Sequence, residues 1–182
     1  MPHSSTSRPW LIAAVAAFVG FGAAAQSGTV LNPSDRQFIT EAASGGLTEV
    51  ELGQMAQQQA ANPQVKEFGS RMAQDHAKAN DELKRIADAK GVQVPAQPDP
   101  KHQKDIERLR ALSGAEFDRA YMKHMVADHK KDVAEFQKEA RAAKDGDVKD
   151  FAAKTLPTLQ LHLKMAQRTN DAVKRAKTAS AS

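Results

Sequence analysis

Cysteine is absent from the 182 residues. Disulfides, thiolate metal sites and a lipid-carrying cysteine behind a leader are thereby excluded. No glycine-flanked serine elbow occurs, and no glycine-rich loop of the kind that cradles phosphate. The Lys and Arg residues are interspersed with Asp and Glu and form no stripe alternating with aromatics, which make up 5% of the chain. A net charge of +4 on such a pattern reads as solvated helix surface, and no nucleic-acid partner is expected. Long hydrophobic runs are also missing, with one exception.

That exception is the N-terminus. Arg8 supplies a short positive region, Trp10 to Phe21 an apolar run, and Ala23-Ala24-Ala25 the small residues of a cleavage site. The pattern predicts a cleavable signal peptide over 1–25, since spanning a bilayer takes about 20 apolar residues. An uncleaved anchor is the alternative. Export to the periplasm follows, with a processed chain soluble or peripheral to the outer membrane. Removing 1–25 takes away Arg8 alone among the charged residues. Residues 26–32 read as a short lead, 33–176 as one domain, and 177–182 as a disordered tail.

Within the domain, helix starts, periods and stops agree. Asn32-Pro33-Ser34-Asp35 offers a cap, a proline at the first helical position and an acid in the first turn. Phe38, Ala42, Gly45/Gly46, Glu49, Leu52 and Ala56 then follow at helical spacing. The glycine pair marks either the close approach of another helix or a local break. Asn62-Pro63 opens a second helix through Val65, Phe68, Met72, His76, Ala79, Leu83 and Ile86, which ends at Gly91. The short turn between the two makes them antiparallel.

Three prolines between Val92 and Pro100 predict a non-helical connector, followed by a short helix through Ile106, Leu109 and Leu112. Ser113 and Glu116 have the spacing of a capping box. The helix behind them carries Phe117, Tyr121, Met125, His129, Asp132/Val133 and Phe136. Lys144-Asp-Gly-Asp147 stops it and caps a last helix through Val148, Phe151, Thr155, Leu159, His162, Ala166 and Val173. Pro157 lies inside that last helix and predicts a kink, read as a packing bend; the other reading turns a freed carbonyl near Ala153 toward the centre. Val65-Lys-Glu-Phe68 recurs as Val148-Lys-Asp-Phe151, and Asp75-His76-x-Lys78 as Asp128-His129-x-Lys131. Their offsets differ, so no single in-register duplication follows. The fold class is all-α, an antiparallel four-helix bundle with a Pro-rich connector and a short extra helix between helices 2 and 3.

The chemistry-bearing residues fall on the inward faces. At about 1.5 Å rise per residue, Glu49 and His76 lie roughly 18 and 22 Å from the first turn, and His129 and His162 roughly 24 and 26 Å from the last. Each pair is level to about one helical turn, whereas the alignment of the pairs depends on the connector. One reading is a site for a divalent transition metal ligated by Glu49, His76, His129 and His162, with Asp75 and Asp128 as partners. The other is a buried polar network that fixes helix register. A carboxylate-rich dinuclear site is not expected, because Ala73, Val126 and Leu159 stand three residues before the histidines, where such sites carry Glu. His124 reaches Asp128 as a network member or a surface pair, and His102 in the connector is expected to be solvated. Met55, Met72, Met125 and Met165 read as core.

Asp35-Arg-Gln-Phe38, Glu49-Val-Glu-Leu-Gly53, Val65-Lys-Glu-Phe68, Met72-Ala-Gln-Asp-His76, Phe117-Asp-Arg-Ala-Tyr121, Asp128-His129 and Leu156-Pro157 before His162 occur in order. In this the chain resembles the domain-of-unknown-function 4142 family, over about residues 33–175. The resemblance implies a ferritin-like bundle in the periplasm and no established activity. The label "predicted outer membrane protein" often attached to such chains fits poorly, since neither a lipidation cysteine nor alternating barrel strands are present. Three functions remain open. They are a non-enzymatic exported binding or envelope-stress protein, a metal-binding bundle, and a homo-oligomeric scaffold with an unknown envelope partner.

Overall fold

The structure is a computed structural model that describes residues 31–180, with side chains through 176. The signal peptide and most of the lead expected at 26–32 lie outside the described residues, as do the last two positions. Five helices follow in order: α1 (Pro33–Gln59), α2 (Pro63–Ala89), α3 (Pro100–Arg110), α4 (Gly114–Ala142) and α5 (Gly146–Ser180). No strand occurs among the described residues, and an isolated bridge joins Ala60 to Gly114. No described helix is long and apolar enough to cross a membrane. The backbone of α5 continues to Ser180, past position 176 where the sequence pattern ends the domain.

The helices start where their caps dictate. Asn32 Oδ1 accepts from the Ser34 amide at 2.9 Å, and Asn62 Oδ1 from the Gln64 amide at 2.8 Å. Asp145 Oδ1 accepts from the amides of Asp147 and Val148 at 3.0 and 3.2 Å. Each satisfies N–H groups that have no partner inside the helix. The capping box expected at Ser113 does not form; Ser113 is at the cap position but makes no side-chain cap bond. Gly114 follows at φ +60°, which carries the backbone out of the regular first turn that a capping hydroxyl spans.

α1 pairs with α2 and α4 with α5 as two helical hairpins, and the hairpins lock each other's turns. Asp35, fully buried in α1, accepts from the amides of Lys144 and Asp145 at 3.0 and 2.7 Å in the α4–α5 turn. Asp118, 3% exposed in α4, accepts from the amides of Ala61 and Asn62 at 3.2 and 2.9 Å in the α1–α2 turn. Asp35 and Asp118 are separated along the chain by the same interval as Asn62 and Asp145, and as Val65 and Val148. The Val-Lys-acid-Phe echo therefore belongs to an in-register correspondence between the hairpins, although the Asp-His echo does not. Carrying the interval inward pairs Gly46 with His129, Glu49 with Asp132, His76 with Leu159 and Ala79 with His162.

Two apolar clusters fill the ends. One, near the α1–α2 turn, contains Leu52, Phe68, Met72, Leu109, Tyr121 and Met125. The other, near the α4–α5 turn, contains Phe38, Ile39, Leu83, Phe136, Phe151 and Leu159. Each fully buried large side chain stabilises by about 1.5–3 kcal/mol relative to exposure. Met55, Met72 and Met125 are core, with Met165 packed against it, as expected. α1 and α2 approach closely: a Cβ on Gly53 would lie 2.5 Å from the Gly69 carbonyl oxygen, and one on Gly46 would collide with the Asn80 amide. Gly46 thus marks a helix approach and no break, since α1 is continuous through it. α5 likewise passes Pro157 unbroken, with Ala153 and Pro157 both exposed, so the carbonyl that proline leaves free is on the solvent side.

Candidate metal centre

Between the clusters the core turns polar. His76 from α2, His129 from α4 and His162 from α5 are 8%, 0% and 1% exposed, and their ring centroids lie 5.5–5.7 Å apart. One ring nitrogen from each lies within 4.8 Å of those from the other two. This is the group of metal-ligating side chains that the described residues bring together.

The hydrogen bonds decide which nitrogens are available. His162 Nε2 donates to Asp75 Oδ2 at 2.9 Å, which leaves Nδ1 as the lone-pair nitrogen. Asp75 Oδ2 also accepts from Arg71 Nε at 2.7 Å, so one carboxylate oxygen is held by two donors. His129 Nδ1 donates to the Met125 carbonyl at 3.1 Å, leaving Nε2 with the lone pair. His129 Nε2, His162 Nδ1 and His76 Nε2 are each buried without a hydrogen-bond partner. A carboxylate or carbonyl on the far nitrogen orients an imidazole and raises its basicity toward a metal.

Electrostatics keep the rings neutral. Burial, then the neighbouring imidazoles His129 and His162, push His76 well below the ordinary histidine value. Burial and His162 bring His129 down to about 4. Burial lowers His162 despite the opposing hydrogen bond to Asp75. Asp75 is pushed up by burial, but hydrogen bonds from His162 and Arg71 outweigh that and hold it low. Neutral imidazoles aimed at one point are the state that binds zinc or copper, and metal need not first displace protons from them at neutral pH.

Glu49 does not join the three nitrogens. Its Oε1 lies 3.8 Å from His129 Nδ1, the nitrogen that donates to the Met125 carbonyl, and it is 1% exposed with both oxygens unpartnered. Burial, followed by the charges of Asp128 and Asp132, raises it well above the ordinary glutamate value. Two ionised carboxylates have no donor between them, so the approach of neighbouring acids favours the protonated form of Glu49. Of the carboxylates expected as partners, Asp75 holds His162 and Asp128 acts on Glu49. His124 is half-buried with Nε2 unpartnered and makes no hydrogen bond to Asp128.

His102 is not solvated. Its Nδ1 lies 2.8 Å from Asp99 Oδ2 and 3.3 Å from Ser44 Oγ, and the Asp99 amide donates to Ser44 Oγ at 2.9 Å. Burial pushes Asp99 up, but the bonds from His102 and Ser44 hold it at about 2. A serine, a histidine and an aspartate meet here, yet serine and aspartate touch the same ring nitrogen. A relay needs them on opposite nitrogens. The trio is a staple fixing the connector to α1. No sequence signal marked it, because Ser44 sits in a helix far along the chain from Asp99.

No curated protein and no solved structure matches this chain. A family model does, over residues 21–169, and its description is "domain of unknown function". The chain belongs to the DUF4142 family.

Proposed function

We propose that this protein is an exported, non-catalytic bundle of the ferritin-like four-helix type that holds one divalent transition metal ion on His76, His129 and His162. The observation that carries the reading is that one ring nitrogen from each of three buried histidines lies within 4.8 Å of the other two, and that each of these histidines has a buried ring nitrogen without a partner. A metal ion would supply these nitrogens with the partner that buried polar groups usually have. Three imidazoles suit zinc or copper better than magnesium or calcium, which prefer oxygen. Asp75 and the Met125 carbonyl act behind the ligands, fixing ring orientation. Export is supported by the leader-like N-terminus, and the periplasm is the proposed location.

Elemental analysis of protein recovered from the periplasm tests this. One equivalent of metal, absent from a His76→Ala, His162→Ala double variant, is expected. Metal-free protein whose melting temperature ignores added zinc and copper would return the site to the network reading. An intact leader on the recovered chain, seen by mass spectrometry, would refute cleavage.

A further inference from the structure

An ion must reach nitrogens that lie almost wholly out of solvent. A cleft of about 320 Å³ between α1, α2, α4 and α5, edged by the first residues of α3, ends on His76. His76 is 8% exposed and its Nε2 has no partner. The cleft coincides with the counterpart of the histidine cluster in the hairpin correspondence. Gly46, Ala79 and Leu159, the positions matched to His129, His162 and His76, all line it. Where one side of the correspondence carries imidazoles, the other carries a methyl at Ala79 and an isobutyl at Leu159, while Gly46 admits the Asn80 side chain, which also lines the cleft. Gly45 lines the cleft as well, and a Cβ there would meet nothing within 4 Å.

The walls favour cations. Glu41, Asp132 and Glu135 line the cleft against Lys101 and Lys131, while Asp99 is already engaged by His102 and Ser44. Burial and then the charge of Asp128, with Glu135 adding and Lys131 opposing, push Asp132 up to about 8. Burial and then Glu41 raise Glu135, again against Lys131. Burial, the largest cause of both shifts, opposes charge of either sign and leaves Asp132 largely protonated at neutral pH. The pull on a cation comes from Glu41 and Glu135 and from the neighbouring charges that add to the shifts.

We propose that this acidic cleft is the loading path by which a divalent cation reaches the His76–His129–His162 site. The proposal rests on the metal-holding reading above. A second cleft, of about 190 Å³ between α2 and α5, also touches His76 and His162. Lys78 and Lys154 line it, Lys154 is paired with Glu82 at 2.8 Å across it, and its Asp75 is taken by Arg71 and His162. Its free charge opposes a cation.

The test is stopped-flow loading of the metal-free full chain with Co²⁺, followed by the visible absorbance of the bound ion. A Glu41→Gln, Glu135→Gln variant should load about tenfold slower at low ionic strength, with equilibrium affinity changed less than about threefold. At about 1 M salt, where the screening length is about 3 Å, its rate should rejoin the wild type. Gly45→Phe, which fills the cleft without touching a ligand, should load slowly at every salt concentration. Circular dichroism verifies that each variant is folded. Wild-type rates in both variants would overturn the path, as would slow loading in Thr158→Phe, at the second cleft, together with normal loading in Gly45→Phe. Equilibrium titration separates the two readings. If Co²⁺ binding is lost in the His76→Ala, His162→Ala variant but the cleft variants load normally, only the path fails. If the wild type takes up no Co²⁺, the trihistidine reading fails and the path with it.

Discussion

The two hairpins agree at their ends and differ in their middles. Asp35 and Asp118 perform the same cross-capping, Asn62 and Asp145 start the return helices alike, and Phe68 and Phe151 enter the two clusters at matched positions. Halfway along, Gly46 faces the role of His129, Ala79 that of His162 and Leu159 that of His76. The ends are set by backbone amides that must be satisfied whatever the function. The middle has no such obligation, so imidazoles stand on one side of the correspondence and a cleft on the other. A symmetric frame thus carries an asymmetric site.

Acid should separate middle from ends most strongly. Folded His129 takes its proton near pH 4, whereas the unfolded chain takes it near the ordinary value of 6.5. The unfolded state therefore binds the proton first on acidification. The stabilisation from neutral His129 is complete above pH 6.5 and lost as pH falls toward 4, with His76 adding in the same direction. At about 1.4 kcal/mol per pKa unit, His129 alone accounts for a loss of roughly 3 kcal/mol. Guanidinium unfolding in chelator at pH 7.5 and pH 5 should capture about 2 kcal/mol of it, and His129→Gln should flatten the dependence. An equally steep curve in that variant would place the acid sensitivity at the ends.

The sameness of the ends is tested next. Asp35→Ala and Asp118→Ala each leave two turn amides without their acceptor, at about 2–3 kcal/mol apiece. At opposite ends of the bundle, their effects should add in the double variant. A neutral Asp118→Ala in denaturant melts would show that the two turns are not held alike.

The smallest effect sharpens a difference between the hairpins. Gly53 and Gly69 let α1 and α2 touch backbone to backbone, while the matched positions in α4 and α5 are Phe136 and Ala152. Gly53→Ala should cost about 1–3 kcal/mol through overpacking. Gly45→Ala, in open space, should stabilise by up to about 1 kcal/mol through helix propensity. Thermal melts of the two variants should therefore shift in opposite directions.

Much of this was legible in the chain. Asn32-Pro33 and Asn62-Pro63 fixed helix starts because capping is a local bargain between a side chain and the next two amides. Periodicity and rise place His76, His129 and His162 inward and His129 level with His162, whereas the level of His76 against that pair is set by the connector. What could not be read was tertiary. Asp35 looks like an ordinary first-turn acid until α4 and α5 are folded over it. Glu49 has the right height and face but lies nearest the His129 nitrogen that donates to the Met125 carbonyl, since azimuth between helices is set by packing. The Ser44–Asp99–His102 staple required knowing where the connector returns.

The crossed carboxylates have one more consequence. Neither hairpin contains the acceptor for its own turn: Asp35 serves the second and Asp118 the first. An excised half would present two bare amides at its bend and half of an apolar interior. The crossed caps favour one cooperative unit, and fragments cut at the connector are expected to regain structure only when mixed.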